Sequence, residues 1–102
     1  MRDFFQGDII KTTGFKNYFI IVSKNSFIQY TNVFHVCPML EDYPAGPLHI
    51  PAEGKEGTKG AVICEQIKLI DPAARECSKI DHVPYETIMN ISDAVQGIFE
   101  YD

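Results

Sequence analysis

Short apolar runs separated by polar turns dominate this chain, and their lengths predict β-strands. The runs span three to eight residues and are rich in β-branched and aromatic side chains, as strands usually are. The run at residues 18–23 is apolar up to its final serine, which predicts a strand buried on both faces. The predicted strands cover residues 8–12, 18–23, 33–40, 48–51, 61–67 and 68–70.

Glycine, proline and charged residues mark the connections between these strands. Gly14 is the turn residue of a loop at 12–17, and 71–75 is predicted to be a turn or a single helical turn. The glycine-rich segment 53–60 matches neither the dinucleotide nor the Walker phosphate loop, so a hairpin turn is predicted there. Pro38 cannot donate a ladder hydrogen bond, which predicts an edge strand or a bulge at that point.

One amphipathic helix is predicted at the C-terminal end. Pro84 suits its first turn, and Glu86 complements the helix dipole. An apolar stripe at helical spacing is predicted to pack on the sheet, and it comprises Ile88, Ile91, Val95, Ile98 and Phe99. Several strands followed by one helix predict a mainly β (α+β) fold, a small barrel of mostly antiparallel strands with a C-terminal helix.

Composition adds the expectation of one cytoplasmic domain. The 102 residues, of which 45% are hydrophobic and 23% charged, suit a single domain over residues 1–102. The odd number of cysteines (Cys37, Cys64 and Cys77), each in or beside an apolar stretch, predicts reduced thiols in the cytoplasm. No apolar run approaches the ~18 to 20 residues of a membrane span, and no signal peptide is predicted.

The charge distribution bears on nucleic-acid binding. A net charge of −5 argues against binding by bulk attraction. Residues 1–24 nevertheless carry four cations against two acids, whereas residues 80–102 carry five acids and no lysine or arginine. One interpretation is a small basic face that includes Arg2, Lys11 and Lys16, and the other is an ordinary mixed surface.

Several segments together resemble a known protein family. Residues 6–10 read Gln-Gly-Asp-Ile-Ile, residues 20–23 read Ile-Ile-Val-Ser, and residues 60–66 read Gly-Ala-Val-Ile-Cys-Glu-Gln. With Ile-Asp at 70–71 and Arg75 following at the family's spacing, nearly the whole chain resembles the MazF/PemK/Kid family, the toxin halves of bacterial toxin–antitoxin pairs.

This resemblance implies an SH3-like barrel that forms a homodimer and cleaves single-stranded RNA without a metal or cofactor. A base takes the proton of a ribose 2′-hydroxyl, whose oxygen attacks the neighbouring phosphorus and leaves a cyclic phosphate. The reaction needs a base or a polariser of the hydroxyl, and a cation for the charge on the phosphate. The implied partner is an antitoxin whose acidic, partly disordered segment covers the RNA groove.

The phosphate-facing arginine of the family is missing. The family has Gly-x-Arg-Pro before its second strand, whereas residues 14–18 here read Gly-Phe-Lys-Asn-Tyr. Asn17 takes the arginine position and Tyr18 the proline position. Lys16 is therefore predicted to be the catalytic phosphate cation, although lysine lacks the planar fork of arginine. Lys11, Asn17 and Tyr18 are predicted to be supporting nucleic-acid contacts.

The hydroxyl that assists catalysis in the family is missing as well. Its threonine usually follows the third strand, where this chain has Met39 and Leu40. Glu65 keeps an acid that some members use as a base, so it is predicted to be the second catalytic residue. The alternative is that Glu65 and Gln66 tie strand backbones together.

Three further features leave alternatives open. Arg75 is a candidate nucleic-acid contact, or else it pairs with Asp71 or Glu76. No Cys-x-x-Cys or His-x-x-x-His pair occurs, so no metal site is predicted. A group of aromatic residues is either a stacking platform for unpaired bases or core and dimer contact, and it comprises Tyr18, Phe19, Phe27, Tyr30 and Phe34.

Two functions from different classes follow from this comparison. The first is a toxin-like endoribonuclease, with Lys16 and Glu65 as its catalytic residues. The second is a catalytically impaired toxin-fold module that binds nucleic acid or a protein partner, which the missing arginine and threonine favour. Gyrase poisoning, known for a relative on the same fold, is disfavoured because residues 100–102 do not resemble the C-terminus that the relative uses.

Overall fold

The computed structural model describes residues 4–102, which form seven strands and two helices. Met1, Arg2 and Asp3 lie outside the described residues, so the predicted contribution of Arg2 to a basic face lies there too. Neither helix in residues 4–102 is long and apolar enough to cross a membrane. In chain order the elements are β1 (Asp8–Thr12), β2 (Tyr18–Ile21), α1 (Asn25–Thr31), β3 (Phe34–Leu40), β4 (His49–Glu53), β5 (Lys59–Ile63), β6 (Lys68–Ile70), β7 (Cys77–His82) and α2 (Tyr85–Ile98).

All seven strands belong to one antiparallel sheet. Its main path runs β4-β5-β3-β2-β1-β7, and β6 pairs with β3 beside β5. β4 and β7, the two outer strands of this path, lie close to each other. The amide of Lys55, which follows β4, donates to the carbonyl of His82 in β7 at 3.0 Å. The arrangement confirms the predicted mainly β, mostly antiparallel fold with a C-terminal helix.

Pro38 lies inside the sheet, so the predicted edge position is wrong. The register between β2 and β3 runs through Pro38 without a shift, so there is no bulge there either. On its other side, β3 pairs with β6 up to Val36 and with β5 from Met39 onward. Pro38 therefore falls in the gap between two ladders, where no amide hydrogen is needed.

Several element boundaries differ from the predicted ones. The sequence predicts neither α1, in which Ile28 is the one buried residue, nor the strand β7. The strand predicted at 61–67 ends at Ile63, because the Gln66 amide turns back to the Ile63 carbonyl at 3.1 Å. The strand predicted at 18–23 ends at Ile21, and its first residue, Tyr18, is 37% exposed rather than buried.

Apolar side chains pack on both faces of the sheet. One cluster contains Ile10, Phe19 and Phe34 and includes Ile28 of α1. The other contains Ile9 and includes residues of α2. Two buried layers explain why the central strands β2 and β3 are almost continuously apolar.

The predicted stripe of α2 packs on the sheet along only part of its length. Ile91 is buried, and Ile88 and Val95 are partly buried against the second cluster. Ile98 and Phe99 are exposed, so the prediction is wrong for these two residues. α2 ends at Ile98, so Phe99 lies beyond the helix and the helical spacing does not place its side chain against the sheet.

Candidate nucleic-acid interface

The loop between β1 and β2 brings three predicted site residues into one groove. Lys16, Asn17 and Tyr18 line a groove of about 850 Å³, which we call the Lys16 groove. The rest of its lining comes from residues 39–42, at the end of β3, and from the hairpin turn at 56–60. The register between β2 and β3, which places Tyr18 opposite Met39, joins these segments.

The Lys16 groove is poorly suited to a phosphate chain. Lys16 and Lys59 supply two positive charges, but three carboxylates lie in the same lining. These acids are Glu41, Asp42 and Glu56. Since the acids outnumber the lysines by one, the groove offers no net attraction to a polyanion.

Glu65 lies away from this groove. β5 begins at Lys59, which lines the groove, whereas Glu65 follows the far end of the strand. The Glu65 carboxylate pairs with His49 Nε2 at 3.1 Å, and His49 Nδ1 lies 3.2 Å from the Pro44 carbonyl. The hydrogen bond from His49 lowers the pKa of the Glu65 carboxyl below its ordinary value, which makes it a weaker base. The two predicted catalytic residues, Lys16 and Glu65, therefore do not share a groove.

A second groove lies on another side of the same loop and has a different charge. We call it the Phe15 groove; its volume is about 400 Å³. Its lining contains one lysine, two side-chain amides and no carboxylate. The lining residues are Phe15, Asn17, Phe19, Pro38, Gln66, Ile67 and Lys68.

Two cations lie close to the Phe15 ring. Lys68 Nζ is 5.3 Å and the Arg75 guanidinium carbon 5.2 Å from the ring centroid, within the range of cation–π contacts. Phe19 meets the same ring edge-on at 5.1 Å, which holds its orientation. Arg75 also donates to the Thr13 carbonyl at 2.9 Å. The Phe15 ring thus has two positive charges beside it: Lys68, which lines the groove, and Arg75, which contacts the ring from outside the lining.

The remaining predicted contacts have separate positions. Arg75 lies beside Phe15, and within residues 4–102 it forms no ion pair with either acid considered as an alternative. Asn17 lines both grooves, but its side-chain amide donates to the Tyr18 carbonyl at 2.9 Å. Lys11 is exposed on β1 opposite Ser78 and lines neither groove.

Sequence reasoning missed Phe15 and Lys68 as candidate site residues. Phe15 precedes the predicted cation Lys16 and points into the other groove. Lys68 is the first residue of β6, and it lines the groove together with Gln66 and Ile67 of the connection before that strand. No periodic pattern in the sequence signals Lys68. Two members of the predicted aromatic group, Phe19 and Phe34, are buried core residues, whereas Tyr18 and Tyr30 are exposed.

The cysteines offer no reactive group to either groove. All three are free and buried. Burial raises the pKa of the Cys37 thiol to about 12 and that of Cys64 to about 11, with the Glu65 charge adding to both. Such thiols are poor nucleophiles. Among residues 4–102, no cluster of three His, Cys, Asp or Glu side chains is close enough to hold a metal ion.

The fold and its grooves define a small curled-sheet protein with a basic aromatic surface beside the β1–β2 loop. Residues 5–99 match the family described as PemK-like, MazF-like toxin of type II toxin-antitoxin system. The chain belongs to this toxin family, which confirms the resemblance found in the sequence and relates the chain to endoribonucleases. Comparison with curated proteins gives no match.

Solved structures agree with this fold at low sequence identity. A MazE-MazF structure (Form-I) from Deinococcus radiodurans superposes with a TM-score of 0.81 at 13% identity, covering 96% of this chain and 97% of that chain. An endoribonuclease in complex with its cognate antitoxin from Mycobacterial species gives a TM-score of 0.79 at 16% identity, covering 98% and 100%. These likenesses confirm the MazF-like fold.

Proposed function

We propose that this chain is the toxin component of a toxin–antitoxin pair and that it binds single-stranded RNA in the Phe15 groove. One observation carries the proposal: Lys68 and Arg75 flank an oriented aromatic ring in a groove without carboxylates. Unpaired bases stack on aromatic rings with little dependence on sequence, and lysine and arginine neutralise the neighbouring phosphates. The two side-chain amides, Asn17 and Gln66, supply hydrogen bonds to base edges or ribose.

The predicted cleavage pair has no part in this proposal. Lys16 lies among acids, and Glu65 is held by His49 beyond the other end of β5. A base and a phosphate cation must meet at one phosphodiester. Their separation argues against joint catalysis by Lys16 and Glu65.

Binding is tested by fluorescence anisotropy of a labelled single-stranded RNA over a series of salt concentrations. Lys68→Ala should lower the magnitude of the salt slope by about 0.7, as expected for one lost phosphate contact on a single strand. Phe15→Leu keeps apolar packing but removes the ring, and should weaken binding about tenfold. Lys24→Ala, an exposed lysine at the start of α1, is the matched control. Equal affinities for Lys68→Ala and Lys24→Ala would refute the proposed groove.

The catalytic part is tested by incubating a long single-stranded RNA with the protein in EDTA. Lys16→Ala and Glu65→Ala should give the same products as the unchanged protein. Discrete cuts ending in cyclic phosphate that disappear in either variant would restore the predicted Lys16–Glu65 nuclease. The binding measurement is independent of this outcome, so each half of the proposal can fail separately.

The proposed partners are an antitoxin and a second copy of the chain. Both structural relatives described above are toxin–antitoxin complexes, which supports an antitoxin partner here. An acidic antitoxin segment suits the same cations, Lys68 and Arg75, and should compete with RNA for them. The homodimer is tested by light scattering coupled to size-exclusion chromatography. The three free cysteines support the cytoplasm as the compartment.

A further inference from the structure

A buried carboxylate accepts from three donors at the start of β1. Asp8 is fully buried. Its Oδ1 lies 2.6 Å from His82 Nδ1 and 3.2 Å from Lys79 Nζ, and its Oδ2 accepts the Phe5 amide at 2.8 Å. We call Asp8, Lys79 and His82 the Asp8 cluster. It lies outside both grooves described above.

A β-bulge is responsible for the meeting of His82 and Lys79. Residues three apart on a regular strand point to opposite faces. Here Asp8 pairs with His82 and Ile10 with Lys79, so Ile80 is an extra residue on β7. Since Asp8 and Ile10 share a face of β1, their partners share it too. The bulge thereby turns His82 to the side of Lys79, as bulges beside functional sites often do.

The chemistry of the neighbours fixes the role of each imidazole nitrogen. An ionised carboxylate can only accept a hydrogen bond. Nδ1 of His82 therefore carries the hydrogen and donates this bond to Asp8. Nε2 then holds a lone pair, and it has no protein partner among residues 4–102. The His82 side chain is 33% exposed, so solvent or a ligand reaches it. A carboxylate that orients a histidine in this way prepares it as a general base.

The surroundings of the ring suit a nucleic-acid strand. Lys79 is 46% exposed, and its ammonium lies 5.9 Å from the centroid of Phe5, itself an exposed aromatic ring. Gly7 takes a positive φ of 92°, and a Cβ placed there would lie 3.3 Å from the His82 ring. A cation, a free imidazole nitrogen and an exposed aromatic ring therefore occur together.

We infer that the Asp8 cluster is an acid–base site that cleaves RNA held by the protein. His82 Nε2 takes the proton of a ribose 2′-hydroxyl, and the 2′ oxygen forms a bond to the adjacent phosphorus. The bond from phosphorus to the 5′ oxygen breaks, and that oxygen takes a proton from water. His82 then releases its proton to the hydroxide. Lys79 stabilises the charge on the non-bridging oxygens, and the products are a 2′,3′-cyclic phosphate and a 5′-hydroxyl.

This inference rests on the proposed RNA binding and adds a catalytic centre to it. Lys79 is four residues from Arg75 along the chain, about 13 Å if extended, so one strand of RNA can reach from the Phe15 groove to the Asp8 cluster. Asp8 acts as a positioning residue, since it touches the imidazole and not the substrate. His82 and Lys79 are the catalytic residues.

The experiment is cleavage of a single-stranded RNA in EDTA by the full chain, with product ends identified by mass spectrometry. His82→Gln keeps a donor for Asp8 but is no base, and should lower the cleavage rate about 100-fold. Lys79→Ala should lower it by a similar factor, and Lys24→Ala should leave it unchanged. Added imidazole should restore cleavage by His82→Ala. RNA with 2′-O-methyl groups should bind and stay intact.

Each outcome decides the matter. Cyclic-phosphate products that are lost in His82→Gln and restored by imidazole in His82→Ala support the site, even if one variant is less stable. Cuts that persist in His82→Gln, or no cuts by the unchanged protein, overturn it. Anisotropy with the methylated RNA then still reports binding, so failure of this inference is distinct from failure of the proposed function.

Discussion

Asp81 provides the sharpest test of how the sheet is closed. Its side chain is 5% exposed and accepts the amides of Glu56 at 3.0 Å, Thr58 at 3.1 Å and His82 at 2.7 Å. Two of these amides belong to the turn between β4 and β5, so one carboxylate joins the two ends of the sheet. Gly54 makes room for it, since a Cβ there would overlap the Asp81 carboxylate.

The contribution of Asp81 to the free energy of unfolding follows from the shift in its pKa. Burial raises the pKa of Asp81, but the hydrogen bonds from Glu56, Thr58 and His82 outweigh burial and lower the pKa from 3.8 to about 2. At about 1.4 kcal/mol for each pH unit, the charged form contributes about 2 kcal/mol to the free energy of unfolding. Because the folded pKa is the lower one, this contribution is present above pH 3.8 and is lost as the pH falls toward 2.

The assay is urea denaturation followed by circular dichroism at pH 7 and at pH 2. Asp81→Asn should lose about 2 kcal/mol at pH 7, a fall in Tm on the order of 10 °C, and the difference should shrink to a few tenths at pH 2. Asp93→Asn, on the exposed side of α2, is the control and should change little. An equal loss at both pH values would show that the carboxylate charge is not the cause, and no loss at pH 7 would refute the closure.

Three further outcomes are expected. Gly7→Ala should lower the free energy of unfolding by at least 1 kcal/mol in urea denaturation. The reason is that the φ of Gly7 is positive and a Cβ there would lie 2.5 Å from the Ile88 side chain. Unchanged stability would contradict the close packing of Gly7 against Ile88. Ile91→Ala should lower the free energy of unfolding by about 2–4 kcal/mol, and Phe99→Ala should lower it by less than about 0.5 kcal/mol. Equal losses would contradict the conclusion that α2 packs on the sheet at Ile91 but not at Phe99. Buried Cys37, with its pKa raised to about 12, should react with a thiol reagent at pH 8 only as the protein unfolds, and rapid labelling of the native protein would contradict this.

The central strands were predictable because their apolar runs are long enough to be read locally. The position of Pro38 was not, since the gap that admits it arises from two other strands, β5 and β6, pairing with β3 at separate places. The helix α1 has a single buried residue and so gives almost no periodic signal. Local patterns thus predict elements, whereas neighbours across the sheet decide where a proline fits.

The candidate site likewise has a part that could be predicted from the sequence and a part that could not. Lys16, Asn17 and Tyr18 were selected from the sequence, but only the structure shows that they line one groove while the adjacent Phe15 lines another. The pairing of Glu65 with His49 joins positions 16 residues apart and depends on the course of the chain after β5. The contact of Arg75 with Phe15 joins segments that no periodicity relates. Family resemblance gave the fold and the roles to look for, but these contacts required the three-dimensional arrangement.

The break between β5 and β6 has a consequence for how this protein can change over evolution. Both strands are anchored to β3 by their own ladders, so the four residues between them, 64–67, carry little of the pairing that holds the sheet together. Gln66 and Ile67 nevertheless form part of the Phe15 groove. Substitutions at the exposed Gln66 can alter ligand preference at little expense in folding stability, whereas Ile67 packs against the core. The fold thereby separates the mutational tolerance of its recognition surface from that of its scaffold.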